Sequence, residues 1–214
     1  MTIAIEAPFT DLVTTEEGLR DLLGQPSELV IKKQLATLDR HCRTYISLSP
    51  FMLLGTANAA GDCAVSPRGD APGFVAVLDD NHIAIPDRPG NRRIDSLRNI
   101  VQNGKVGLLF MIPGVEETLR INGRAWLTRE PALLERLVAR GKVPTLAIGV
   151  AVEEAFLHCA KAFKRSQLWD NATWPERSAL PTLAEMVHDQ TCPTGVTVDD
   201  LEKNLAISYV KNLY

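Results

Sequence analysis

The sequence predicts a mainly β protein with flanking helices, an α+β fold built around a closed or partly closed antiparallel barrel. About seven short apolar or alternating segments follow one another between residues 51 and 158. Clusters of turn residues separate these segments, and few helical patterns interrupt them. Short strands at this spacing are typical of antiparallel barrels, and a chain of 214 residues suits one such domain with helical additions.

An N-terminal helical lead is expected over residues 1–49, as a cap on the main body. Thr14 and Glu17 have the spacing of a capping box and lead into an apolar helical pattern. Ser27 is expected to cap a second helix through residues 28–38. A third helix should follow to about position 48, because one helical face carries Leu38, Cys42, Tyr45 and Ile46.

The barrel is expected over residues 50–157. Two hairpins are predicted, one turning at Ala59–Asp62 and one at Asp80–Asn81. Three longer strands should follow, over residues 105–112, 118–128 and 146–157. Between the last two, a helix is predicted from Pro131 to Gly141, and the tail, residues 158–214, should pack on the barrel with helices over 183–189 and 199–213.

Composition excludes several functional classes. A net charge of −3 argues against a general nucleic-acid binder. No apolar run approaches the roughly 20 residues needed to cross a bilayer, and the first residues do not resemble a signal peptide, so no membrane association is expected. The four cysteines and four histidines are scattered without metal-ligand or disulfide spacing. A cytoplasmic protein without a metal site is therefore expected.

A phosphate-binding pattern occupies residues 82–100, HIAIPDRPGNRRIDSLRNI. An apolar alternation ends in a Pro-Gly turn, which leads to a helix N-terminus whose first backbone N–H groups lack partners and attract anions. Arg92 and Arg93 add fixed positive charge there, and Arg68 in SPRGD adds a third guanidinium. Because guanidinium groups bind phosphate oxygens in a bidentate way, this order of elements predicts a site for a phosphate-bearing ligand.

Structural alternatives remain open for these side chains. The arginines can equally belong to a solvated loop face, with ion pairs to Asp87 and Asp95. Asp70 either orients Arg68 or serves a turn in RGDAPG. The sequence does not distinguish these interpretations from a phosphate site.

Three blocks in this order resemble the FMN-binding split-barrel family typified by pyridoxamine 5′-phosphate oxidase. They are SPRGDAPGF at 66–74, DRPGNRRIDSLRNI at 87–100 and AFLHCAKAFKRSQLWD at 155–170. Residues 105–127 resemble the family's central hairpin. The similarity extends from about residue 35 to 170 and is greatest to a helix-extended, functionally unassigned branch. It implies an antiparallel FMN-binding split barrel.

The resemblance also implies a homodimer with two FMN sites in clefts between the subunits. One subunit would supply Arg68, Pro86, Arg88, Asn91, Arg92 and Arg93. Of these, Pro86 and Arg88 would lie beside the flavin or its ribityl chain, and the others would bind the phosphate. Relatives often carry a lysine where Arg93 stands, and arginine keeps the charge that the phosphate role needs.

The partner subunit is implied to contribute the third block, with Lys161, Arg165 and Trp169 near the isoalloxazine or a stacked substrate. The spacing of Arg165 and Trp169 is only loosely similar to the arginine–tryptophan pair of pyridoxamine phosphate oxidases. That pair is tighter and ends the chain, so a pyridoxine-type substrate is not implied here. The structural alternatives are a solvated basic helix face for Lys161 and Arg165, and simple packing for Trp169.

The predicted function is that of an FMN-dependent oxidoreductase acting on an unidentified small organic molecule. FMN would supply the redox chemistry, with the protein providing binding and electrostatics. No catalytic residue is assigned. Two alternatives remain: a non-catalytic protein that stores, carries or senses flavin, and a split-barrel enzyme that uses another cofactor, such as F420 or haem.

Overall fold

The chain divides into two compact units, Met1–Gln34 and Leu35–Tyr214, and the computed structural model describes residues 8–214. The first seven residues, on which part of the signal-peptide expectation rests, lie outside the described residues. Within residues 8–214, no helix is both long enough and apolar enough to span a bilayer.

Over residues 8–34, the first unit contains two helices, α1 (Glu16–Leu23) and α2 (Glu28–Lys32). The N-cap of α1 is Thr15, whose side chain accepts a hydrogen bond from the Gly18 amide at 3.1 Å, so the predicted cap at Thr14 was wrong by one residue. Ser27 is the N-cap of α2 but makes no side-chain capping bond. The predicted extension of α2 to position 38 was also wrong, since the helix ends after five residues.

The second unit is built on one seven-stranded sheet. Its strands are β1 (Phe51–Ala57), β2 (Cys63–Gly69), β3 (Ala76–Val77), β4 (His82–Pro86), β5 (Lys105–Met111), β6 (Thr118–Thr128) and β7 (Ala147–His158). Their order across the sheet is β2-β1-β5-β6-β7-β4-β3, and every pairing is antiparallel. The predicted fold class and both predicted hairpins are confirmed.

Six helices flank this sheet: α3 (Arg40–Leu48), α4 (Asp95–Gln102), α5 (Pro131–Arg136), α6 (Lys161–Ser166), α7 (Leu183–Thr191) and α8 (Val198–Lys211). The helix predicted to reach Gly141 is shorter than expected. Ala139 and Lys142 exchange backbone hydrogen bonds at 2.9 and 3.1 Å, so Gly141 belongs to a tight turn. The third lead helix and the two tail helices are confirmed as helices.

The main core lies on the inner face of the sheet, where alternate side chains are fully buried. Met52, Leu54, Phe110 and Ile121 belong to this set. Helix α3 covers part of it with the predicted apolar face of Cys42, Tyr45 and Ile46. Apolar residues recur at every second position on the strands and about every 3.6 positions on the helix. The apolar faces that result pack against each other and form one core.

Helix α4 is attached to the sheet by a polar contact as well as by Ile100. The Asn99 side-chain amide donates to the Thr56 hydroxyl of β1 at 3.0 Å, and both residues are buried. Losing one partner would leave the other unsatisfied in the interior. This contact fixes the helix whose first turn follows the loop after β4.

Candidate functional site

The ends of β2 and β4 are joined by two crossed ion pairs. Arg68 on β2 donates from Nη1 to Asp87, just after β4, at 2.8 Å. In the other direction, Arg88 donates from Nε to Asp70, just after β2, at 2.7 Å. Strand β2 is one edge of the sheet, and the short β3 leaves the end of β4 unpaired on its outer side. Side chains therefore join the two sides of the barrel at this point.

The crossed pairs are largely withdrawn from solvent. The side chains of Arg68 and Arg88 are 18% and 17% exposed, and that of Asp70 is 3% exposed. Burial alone would raise the pKa of Asp70, but hydrogen bonds from Tyr214, the Ala71 amide and Arg88, with the charge of Arg88, hold that pKa below its usual value. Asp70 is therefore a carboxylate stabilised in its charged form.

Arg68 has hydrogen-bonding capacity that its carboxylate partner does not use. Its Nε is buried and, among the described residues, has no hydrogen-bond partner. A guanidinium carries five N–H donors in a fixed plane, and Asp87 takes one from Nη1. An anion at the barrel edge would find an oriented donor group here.

The loop between β4 and α4 is a tight turn with two residues in the left-handed region. The Asn91 side chain accepts a hydrogen bond from the Arg93 amide at 3.0 Å. Arg92 and Ile94 both have positive φ, 59° and 55°. A β-branched residue in this region is strained, and such strain concentrates at functional sites.

The N-terminus of α4 lacks a side-chain cap. Ile94 is its N-cap and has no group that accepts from the first amides. Those N–H groups and the positive end of the helix dipole favour an anion. The first-turn carboxylate of Asp95 is neutralised by Arg93 at 2.9 Å and Arg98 at 3.0 Å. The N-terminus of α4 therefore remains favourable to an anion, as the sequence predicts.

The predicted arginines divide into paired and unpaired groups. The alternative with ion pairs to Asp87 and Asp95 is realised in part, since these residues hold Arg68 and Arg93. Arg92 is exposed, and no ion pair to it occurs within the described chain from residue 8 onward. Asp70 pairs with Arg88 rather than Arg68, so the idea that it orients Arg68 was wrong. Its side chain also accepts from the Ala71 amide at 2.7 Å, directly before the turn that Phe74 closes onto Ala71.

The third block begins on the last residues of β7 and continues through α6 into the loop after it, with Lys161 and Arg165 on the helix as expected. Lys161 and Arg165 are exposed. Trp169 stacks on Phe163 with a centroid separation of 5.7 Å, and its indole donates to the Val115 carbonyl at 2.9 Å. In a single copy of the chain, none of the hydrogen bonds or ion pairs among the described residues joins Lys161, Arg165 or Trp169 to Arg68, Arg88 or the loop. Its approach to a site in a second subunit stays a prediction.

Sequence reasoning missed two features near these blocks. Tyr214 donates a hydrogen bond from its hydroxyl to Asp70, a contact across 144 positions that no local pattern signals. A cleft of about 400 Å³ lies beside Trp169, and Glu116 and Lys164 form a 2.6 Å ion pair on its wall. Lys164 lies on α6 between the predicted residues Lys161 and Arg165. The basic pattern of this helix could therefore have indicated that Lys164 belongs to the same group of charged residues.

Acid is expected to weaken the folded protein partly through Asp70. A carboxylate whose folded pKa is lowered contributes stability above its unfolded value, here near 3.8, and loses it as pH falls through the folded pKa. Asp70→Asn should therefore flatten the decline in unfolding free energy between about pH 5 and about pH 3. Urea denaturation across this range measures the slope, with Asp21→Asn as an exposed control. Equal slopes in Asp70→Asn and the wild type would contradict the assignment.

Comparison with known proteins places this geometry in a family. The family model for pyridoxamine 5′-phosphate oxidase matches residues 38–159, more than half of the chain. The chain belongs to the pyridoxamine 5′-phosphate oxidase family. Its seven-stranded antiparallel sheet with flanking helices is the split barrel of that family. The matched segment contains the crossed ion pairs and the loop before α4.

Solved structures resemble the barrel at low identity. HupZ of Group A Streptococcus is 20% identical, with 56% of this chain and 93% of that chain aligned and a TM-score of 0.46. An FMN-binding protein from Syntrophomonas wolfei is 10% identical over 67% and 96%, with a TM-score of 0.44. An F420 reductase is 15% identical over 55% and 98%, with a TM-score of 0.41. No curated protein matches the sequence significantly.

Proposed function

We propose that this protein is an FMN-dependent oxidoreductase that acts on a small organic molecule. The observation that carries the proposal is the uncapped N-terminus of α4 behind the Arg92–Arg93 loop. The uncapped backbone N–H groups and helix dipole there directly follow two exposed arginines, Arg92 and Arg93, a combination that suits a terminal phosphate monoester. Family membership supports a flavin as the bearer of that phosphate.

The proposed cofactor contacts lie at the ends of β2 and β4 and in the loop between β4 and α4. Asn91 shapes the loop, and Arg92, Arg93 and Arg68 provide positive charge for the phosphate. Pro86 and Arg88 lie at the end of β4, where the ribityl chain or the flavin would lie. Arg88 is already oriented by Asp70, so less side-chain entropy is lost when it meets a ligand.

A homodimer is part of the proposal. The outer face of the sheet, defined as Phe51, Leu53, Val65, Pro67, Leu109 and Met111, brings apolar side chains together on β1, β2 and β5. Val65 is 69% exposed, and contiguous exposed apolar surface is typical of protein contacts. Next to this face, Arg120 lies 4.3 Å over the Phe156 ring and pairs with Glu154 at 3.0 Å. A second copy on this face would bring another third block toward the site.

When bound, FMN would supply hydride-transfer chemistry, and the residues of this chain would bind and orient it. Lys161 or Arg165 of a second copy would favour the reduced, anionic flavin by its charge, and Trp169 would limit access to a stacked substrate. No general base is assigned because the transfer requires none. The proposed location is the cytoplasm, and no nucleic acid or membrane partner is proposed.

Absorption spectroscopy of the freshly purified protein tests the cofactor. We expect the bands of an oxidised flavin, directly or after titration with FMN, and release of FMN on denaturation. Anaerobic reduction by NADH or NADPH, followed by reoxidation with candidate acceptors, then tests turnover. A protein that stays colourless and does not bind added FMN would overturn the proposal. Bound FMN without turnover across a broad panel would instead indicate a carrier, and a deazaflavin or haem spectrum would indicate another cofactor.

A further inference from the structure

Tyr214 is held beside the crossed ion pairs by polar contacts from four residues. Its hydroxyl donates to Asp70. The guanidinium carbons of Arg140 and Arg88 lie 4.7 and 5.8 Å from its ring centroid, within the range of cation–π attraction. Lys142 donates to its carbonyl oxygen at 2.6 Å. Residues from three separate parts of the second unit thus meet on one aromatic side chain.

Apolar packing does not explain why Tyr214 lies there. Helix α8, which precedes it, has no buried residue, and Leu213 is 50% exposed. The hydroxyl, the ring face and the carbonyl of Tyr214 each have a specific charged partner instead. A contact made in this way is sensitive to single polar atoms, since removal of one group leaves its charged partner unsatisfied.

Asp70 connects Tyr214 to Arg88 through its two oxygens. Oδ1 accepts from Tyr214 and from the Ala71 amide, and Oδ2 accepts from Arg88 Nε. The carboxylate is therefore fixed from three directions in a nearly inaccessible place. Because Asp70 occupies only Nε, the two terminal nitrogens of Arg88 remain for a ligand and, within the described residues, donate no hydrogen bond.

We propose that Tyr214 is a positioning residue of the flavin site, which acts through Asp70 to hold Arg88 in its ligand-binding orientation. This inference rests on the proposed function. Arg88 would present its terminal N–H groups to oxygen atoms of the ribityl chain or the flavin ring, which FMN and riboflavin share. Tyr214 should therefore affect both ligands, unlike the loop arginines, which act on the phosphate alone.

Tyr214→Phe tests this inference because it removes the hydroxyl and keeps the ring between the arginines. The expected result is an increase of about fivefold in the Kd of both FMN and riboflavin, measured by flavin fluorescence titration of the full chain. In an Arg88→Gln background, the same substitution should change neither Kd by more than about 1.5-fold. Tyr209→Phe is the matched control, since Tyr209 lies 61% exposed on α8, and it should leave both constants unchanged.

The outcomes separate this inference from the proposed function. If the wild type binds no flavin, the proposed function fails and the inference with it. If the wild type binds FMN but Tyr214→Phe equals the wild type, only the inference fails. It also fails if the loss persists in the Arg88→Gln background, because Tyr214 would then act by another route.

A measurement on the protein without flavin checks the contact itself. The hydrogen bond to Asp70 raises the pKa of the Tyr214 phenol. In Asp70→Asn, this phenol should ionise at lower pH than in the wild type, as followed by ultraviolet absorbance, with Tyr214→Phe identifying its share of the signal. An unchanged titration would show that Tyr214 does not contact Asp70 in solution.

Discussion

Replacing Arg92 and Arg93 together by alanine is expected to weaken FMN binding by roughly a hundredfold and to leave riboflavin binding nearly unchanged. Charge-assisted hydrogen bonds contribute about 1.5–3 kcal/mol each, and the lower end applies because both side chains are exposed. Two such bonds give about 3 kcal/mol, or two powers of ten in Kd. Riboflavin lacks the phosphate and therefore does not engage these groups. Fluorescence titration with both flavins measures the difference.

Arg98→Ala provides the matched control for this experiment. Arg98 also pairs with Asp95, at 3.0 Å, but it lies one turn into α4, away from the loop. Its removal takes one positive charge from the same helix and should change FMN affinity by less than about threefold. If the double variant loses FMN and riboflavin equally, the loop has a structural role only, and the phosphate assignment is wrong.

The strands of this protein could be predicted from sequence because their burial follows a two-residue alternation. In β1, half-buried and buried residues alternate from Phe51 to Ala57, and β5 repeats the pattern. The interior requires apolar side chains at every second position of such a strand. A short stretch of sequence is therefore enough to recognise it. The turn and helix after β4 were visible for a similar reason, since both are local features. The helix begins at Asp95, however, so the prediction that Asn91, Arg92 and Arg93 open it was wrong by a few residues.

Features that depend on distant pairing could not be predicted in this way. Helix α2 ends early, and the next residues lead to Leu35, whose backbone exchanges hydrogen bonds with Ala155 at 2.8 and 2.9 Å. Leu35 thus pairs with a distant strand although its local sequence pattern favours a helix. The choice of Arg88 over Arg68 as the partner of Asp70 also depends on how the barrel closes, which no spacing along the chain encodes.

The largest effect on stability is expected for Gly123→Ala, at the irregularity in the longest strand pair. Strands β6 and β7 shift register between Asn122 and Gly123. A Cβ added at Gly123 would lie 2.1 Å from the Ala151 carbonyl oxygen and 3.2 Å from Val150 Cγ1. Relief of this overlap requires movement of backbone in the middle of the sheet, so we expect a loss of more than about 3 kcal/mol of unfolding free energy.

Gly149→Ala in the same strand pair separates this overlap from the general effect of replacing a glycine. Gly149 pairs with Trp126, and a Cβ there would meet nothing within 4 Å. Alanine should be neutral or slightly stabilising at that position, since it restricts the unfolded chain. Urea denaturation of both variants gives the comparison, and soluble yield replaces it if Gly123→Ala does not fold. A difference of less than about 1 kcal/mol would show that β6 and β7 do not approach each other as closely at Gly123 as the register shift requires.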